Sequence, residues 1–130
     1  INDGRNKILN LLLKNYKNQT TLNLSPGKQE IDLVNVLDIC ALIDKVCIDI
    51  KNKKLKKFKK YTVSSENPIK LIQLVKKLKK ILNKKLKVKI GALKYRKNEP
   101  MKCLKRTYNY PKWQPQFKLM DELKKMFDQN

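Results

Sequence analysis

Residues 67–90 read NPIKLIQLVKKLKKILNKKLKVKI, nine lysines without one acid, and the apolar residues between those lysines keep a strict period. On a helix of about 3.6 residues per turn, Leu71, Leu74, Val75, Leu78, Ile81 and Leu82 fall within an arc of roughly 120°, the width of a core-facing stripe. Lys76, Lys77, Lys79, Lys80 and Lys84 project away from it. From Lys85 the period changes to two, with Leu86, Val88 and Ile90 on one face and Lys85, Lys87 and Lys89 on the other. The spacing predicts a helix over 68–84, capped by Asn67 with Pro68 in its first position, and then a strand over 85–90. Each element buries one face and presents lysine on the other. Such a chain needs a core, and the 41% apolar content supplies one; a disordered basic tail would lack it.

The charge is as localised as the pattern. Residues 1–50 hold six basic and six acidic residues, whereas 51–106 hold 22 Lys and Arg against Glu66 and Glu99, a net +20 of the chain's +21. Charge packed this densely repels itself unless a polyanion or an anionic surface neutralises it. A basic partner-binding face follows from composition alone.

Around this segment, 130 residues are one domain's worth of chain. GRNKILNLLLKNYKN (4–18) places Ile8, Leu9, Leu12 and Tyr16 at helical spacing. SPG at 25–27 breaks the pattern after a short strand candidate, TLNL. IDLVNVLDICALIDK (31–45) sets Val36, Ile39, Cys40 and Ile43 on one side of a half-buried helix, with Asp32, Asp38 and Asp44 off it. VCIDI (46–50) alternates as a strand does. KNKKLKKFKK (51–60) reads as a lysine-rich connection partly anchored by Leu55 and Phe58, and KYTVSSE (60–66) as a second strand rich in β-branched residues. Residues 91–110 read as two strands joined at NEP. PKWQP (111–115) stops the sheet, and FKLMDELKKMF (117–127) is a last amphipathic helix. No run reaches the roughly 18–20 apolar residues of a membrane span. The sequence begins at Ile1 rather than Met, which implies a leading segment and keeps a targeting peptide among the expectations.

Catalysis finds little support. There is no histidine, the commonest general base, and no Gly-rich phosphate loop or serine-nucleophile motif. Asp32, Asp38, Asp44 and Asp49 have the chemistry to hold Mg²⁺ for a nuclease, but their spacing is that of a solvated face. Cys40, Cys47 and Cys103 form no CxxC pair, so neither a metal site nor a cofactor is expected. Cys40 and Cys47 read as small buried residues. The chain reads as a non-enzyme.

Residues 62–85, TVSSENPIKLIQLVKKLKKILNKK, resemble the eukaryotic large-subunit ribosomal protein family numbered twenty-two. In that family a strand ending Thr-Val-Thr-Ser-Glu runs through a proline into a long basic helix. Thr62, Val63, Ser65, Glu66, Pro68, Leu74, Lys79, Lys80, Leu82 and Lys84 match without gaps. Lys70, Leu71 and Ile72 stand where the family has Ser-Lys-Arg, and KVKIGAL replaces its Trp-containing strand. The likeness extends loosely over 21–110. It implies an α/β fold of strand, helix, strand, strand, basic helix, strand and strand. It also implies a structural role in the large ribosomal subunit, with Lys79, Lys80 and Lys84 facing rRNA.

The expected architecture is an α/β (α+β) fold: a small mixed sheet with helices packed on it in a domain over 21–110, flanked by helical extensions at 1–20 and 111–130. The expected function is binding of ribosomal or other structured RNA through phosphate contacts, by lysines acting as point charges rather than base readers. The candidate residues are Lys53, Lys54, Lys56, Lys57, Lys59 and Lys60 in the connection, Lys76, Lys77, Lys79, Lys80 and Lys84 on the helix, Lys85, Lys87 and Lys89 on the strand, and Arg96 and Arg106 beyond. Neighbouring ribosomal proteins are expected at the terminal helices, in a cytoplasmic or alternatively a mitochondrial or other organellar ribosome. No small-molecule substrate is expected. A DNA-binding protein is the nearest alternative, because backbone charge does not separate DNA from RNA. A binder of anionic membrane surfaces is a further one, although helix 68–84 lacks the interfacial Trp or Phe of such helices.

Overall fold

The computed structural model describes residues 7–54, 58–83, 85–103 and 108–129. Among them the order is α1 (Ile8–Lys17), β1 (Leu22–Leu24), β2 (Glu30–Ile31), α2 (Val36–Lys51), β3 (Ile69–Lys70), α3 (Leu71–Ile81), β4 (Val88–Ile90) and α4 (Leu119–Asp128). The class is mixed α/β as expected. The sheet is two short ladders: β1 runs parallel to β4 with Asn23 opposite Lys89, and β2 runs antiparallel to β3 with Glu30 opposite Lys70.

The principal core forms around the apolar arc of α3. Leu71, Leu74, Val75, Leu78 and Leu82 are all buried, Leu74 and Leu78 completely, while Lys76, Lys77 and Lys80 are exposed. Leu24 and Leu86 close the core from the β1–β4 side. Leu12 of α1 and Leu123, Met126 and Phe127 of α4 complete it, and the Tyr16 ring meets Phe127 edge to face at 5.3 Å. Both terminal helices, expected as extensions, thus supply part of the central packing.

Helix α3 starts three residues later than its sequence suggests. Ile69 and Lys70 pair with β2, and Lys70 is the N-cap in place of Asn67. The backbone explains the shift. The first amides of the helix, at Leu71 and Ile72, donate to the carbonyls of Gln29 (3.0 Å) and Gly27 (2.9 Å), so the turn before β2 does the work of a capping side chain. Gly27 is required there: its φ is +71°, and a Cβ would lie 3.0 Å from the Ile72 nitrogen.

Three further expectations are corrected. VCIDI is not a strand; it forms the last turns of α2, which Asn35 caps by accepting from the Leu37 N–H at 2.8 Å. Extending a helix adds a hydrogen bond for each residue fixed, whereas a strand here would have no neighbour. KYTVSSE pairs with no strand among the described residues, where the family resemblance implies a strand before the basic helix. The segment is tied instead by Thr62 N–H to the Tyr108 carbonyl and by Ser65 N–H to the Asp32 carboxylate. Residues 91–103 contain a turn, closed by Glu99 N–H on the Arg96 carbonyl, and form no strand pair among the described residues; 104–107 of the expected second strand lie outside them.

Helix α2 is turned away from its predicted orientation, which leaves only Ile39 of the predicted side half-buried. Its buried side carries Asp38, Leu42 and Asp49, and Leu42 joins Tyr110 and Trp113 in a second, smaller core with Val46 and Tyr61 against it. Cys40 and Cys47, expected inside, are exposed, and so are Val36 (50%), Ile43 (55%) and Ile50 (57%). The cause is the partners of the acids. The two Asp38 oxygens accept from the backbone N–H groups of Gln116 (2.8 Å) and Phe117 (3.3 Å), and Asp49 accepts from the Tyr110 hydroxyl at 2.7 Å. Asp32 and Asp38 are therefore loop clamps, not members of a solvated face; Asp44 alone of the four is exposed.

Candidate nucleic-acid interface

α3 and β4 each turn an apolar face to the same core and present lysines away from it. On α3, Lys76, Lys77 and Lys80 point outward. On β4, Lys89 is exposed between Val88 and Ile90, beside Lys85 and Lys87 in the approach to the strand. Lys79 sits at the junction, its ammonium donating to the Val88 carbonyl at 3.3 Å. It is half-buried, stitching helix to strand while adding its charge to the seam. Lys87 is similarly engaged, donating to the Gln19 carbonyl at 3.1 Å.

The remaining candidates are elsewhere or differently occupied. Lys53 and Lys54 follow α2, and Lys54 lies 3.5 Å from the Asp49 carboxylate. Lys59 and Lys60 line a separate hollow of about 550 Å³ with Tyr61, Tyr108 and Pro111, beside the second core. Arg96 is exposed at the 96–99 turn. Lys56, Lys57, Lys84 and Arg106, together with Leu55, lie outside the described residues. The described candidates thus do not form one patch: Lys79 ties α3 to the β4 strand, whereas Lys54, Lys59 and Lys60 lie beside the other core.

Sequence reasoning missed a groove beside the candidate lysines. An open groove of about 980 Å³ runs along α3, with Gln73, Lys76 and Lys77 on one side and Gln116, Phe117 and Lys118 on the other. The Asp38 clamp fixes that second wall. No periodicity in 111–118 announces it; the available signal was Asp38, an acid inside an apolar helix whose charge needed donors.

Asp44, Glu66, Asp121 and Asp128 are exposed, whereas other acidic groups are engaged inside the fold. Asp49 is the clearest instance. The hydrogen bond from Tyr110, backed by Lys45 at 3.2 Å and Lys54, holds its carboxyl below the ordinary range despite burial. Tyr110 in turn is pushed up to about 12, first by that bond and then by burial. The signs give two shoulders. A depressed carboxyl contributes stability above its unfolded value, ordinarily about 4, and loses it as pH falls through the lower folded value. A raised phenol contributes fully below about 10 and loses its share as pH rises towards 12. Tyr110→Phe should flatten both shoulders in a plot of urea midpoint against pH. Unchanged shoulders would mean that other groups set them.

Among the described residues, no cluster of His, Cys, Asp and Glu has the makings of a metal site, and no helix is long and apolar enough to cross a membrane. The chain matches no protein-family model, no curated protein and no solved structure.

Proposed function

We propose that this chain is a structural, non-catalytic RNA-binding protein of a ribosome, holding rRNA by phosphate contacts from the α3–β4 face. The observation that carries the reading is that Lys76, Lys77 and Lys80 on the helix and Lys85, Lys87 and Lys89 along the strand segment are all exposed around one core, with Lys79 bonded from helix to strand at the Val88 carbonyl. Lysines presented at fixed spacing on ordered elements suit a polyanion of defined shape, as structured RNA is. The likeness of 62–85 to a large-subunit protein favours the ribosome over other RNA particles. Protein neighbours, expected at the terminal helices, are assigned to α2 instead. The apolar sides of α1 and α4 are used in the core, whereas Val36, Cys40, Ile43, Cys47 and Ile50 form a heptad-spaced uncovered stripe. Residues 36–51 carry three Asp against two Lys, which offers a polyanion nothing and an apolar helix of a neighbouring protein a seat.

Site-specific photocross-linking in cells tests both assignments together. With Cys40, Cys47 and Cys103 replaced by Ser, a thiol-coupled probe introduced by Lys89→Cys should give RNA adducts sedimenting with the large ribosomal subunit, and a chain keeping Cys40 alone serves for the second position. The same probe on native Cys40 should give protein adducts. Absence of RNA adducts from position 89 would sink the RNA reading, and RNA adducts from Cys40 would overturn the division of faces.

A further inference from the structure

The groove between α3 and the segment before α4 has a composition that phosphate binding alone does not explain. Its volume of about 980 Å³ is at the upper end of the roughly 300–1,000 Å³ range of small-ligand pockets. Its charged and amide lining combines three exposed ammonium groups, Lys76, Lys77 and Lys118, and two exposed amides, Gln73 and Gln116, with the exposed carboxylate of Asp121 and the buried, amide-bonded one of Asp38. Phe117 stands beside them with 39% of its surface exposed. Its backbone is pinned by the Asp38 carboxylate, so the ring is presented from a fixed point. Amides hydrogen-bond base edges and an aromatic face stacks on a base of any sequence. Ammonium groups at the rim hold the flanking phosphates.

Resting on the RNA reading above, we infer that this groove receives an unpaired nucleotide extruded from the RNA, its base against Phe117 and its phosphates on Lys76, Lys77 and Lys118. RNA bulges and loops supply such nucleotides without the cost of opening a helix. The α3–β4 face would then hold the duplex while the groove selects duplexes that carry a bulge. This places Phe117 and Lys118, outside the lysine-rich segment, in the RNA footprint.

The test compares two hairpins of equal length and charge, one fully paired and one with a single-nucleotide bulge. Wild-type protein should prefer the bulged hairpin. Phe117→Ala should lower affinity for it roughly five- to hundredfold and leave the paired hairpin unaffected, with Phe117→Tyr restoring the preference. Lys118→Gln, an exposed change that leaves the core untouched, should reduce the preference without abolishing paired binding. Binding of both hairpins with no preference, or a preference that survives both Phe117→Ala and Lys118→Gln, overturns this inference and leaves the RNA reading standing. Binding of neither hairpin overturns both.

Discussion

Reversing Lys76, Lys80, Lys85 and Lys89 to Glu in one variant should weaken binding of structured RNA about a hundredfold or more near physiological salt, with little change in thermal stability. All four side chains are exposed on the α3–β4 face. Each phosphate contact that releases a counterion contributes a slope of about 0.7–0.9 to the dependence of log affinity on log salt, so four lost contacts alone remove two or more orders of magnitude. Stability should hold because none of the four lies in the apolar arc, and removing positive charge relieves self-repulsion. Lys79 and Lys87 are left out deliberately. Their ammonium groups hold the Val88 and Gln19 carbonyls, and changing them would mix a structural loss with an electrostatic one. Filter binding alongside thermal unfolding separates the two readouts. Full RNA affinity in a folded variant would dismiss this face as the interface.

Leu78→Ala should have the largest effect on the fold, costing about 2–5 kcal/mol out of the roughly 5–15 kcal/mol typical of a domain. Leu78 is completely buried and lies in the core that α1, α3, α4 and the β1–β4 pair share. Collapse around the lost methyl groups would have to move several elements at once. Ile43→Ala on the uncovered side of α2 should stay within about 0.5 kcal/mol, as exposed substitutions do. Urea unfolding of both variants checks the contrast. Equal destabilisation would mean that α2 is packed on its apolar stripe and that the orientation described above is wrong.

The two helices show what the sequence made legible. In α3 the apolar arc is uninterrupted and every off-arc position except Ile72 is lysine or glutamine, so periodicity decides which face is buried. In α2 the apolar stripe is equally regular, yet the buried side is the one bearing Asp38 and Asp49. Their partners, the Gln116 and Phe117 amides and the Tyr110 hydroxyl, lie 61 to 79 residues away. No local pattern encodes such pairs, and they bring Trp113 and Tyr110 into a core where only a sheet-stopping segment was expected. The late start of α3 has the same origin. Asn67 and Pro68 are sound helix-start signals, but the carbonyls of Gly27 and Gln29 satisfy the first amides from a distant turn. The interface followed suit. Its lysines on α3 and β4 were readable from two periodicities, whereas the groove wall at 116–118 depends on the Asp38 clamp.

The most direct test of the central claim is the salt dependence of affinity for a structured RNA, measured with wild-type protein from about 50 to 200 mM salt. Parallel titrations use duplex DNA of equal charge and vesicles of anionic lipid. The account predicts a steep log–log line for RNA, a slope that falls by about three units in the four-lysine reversal variant, and weaker binding to DNA and vesicles throughout. A shallow line for RNA would contradict it, as would equal affinity for the DNA duplex or tighter binding to the vesicles.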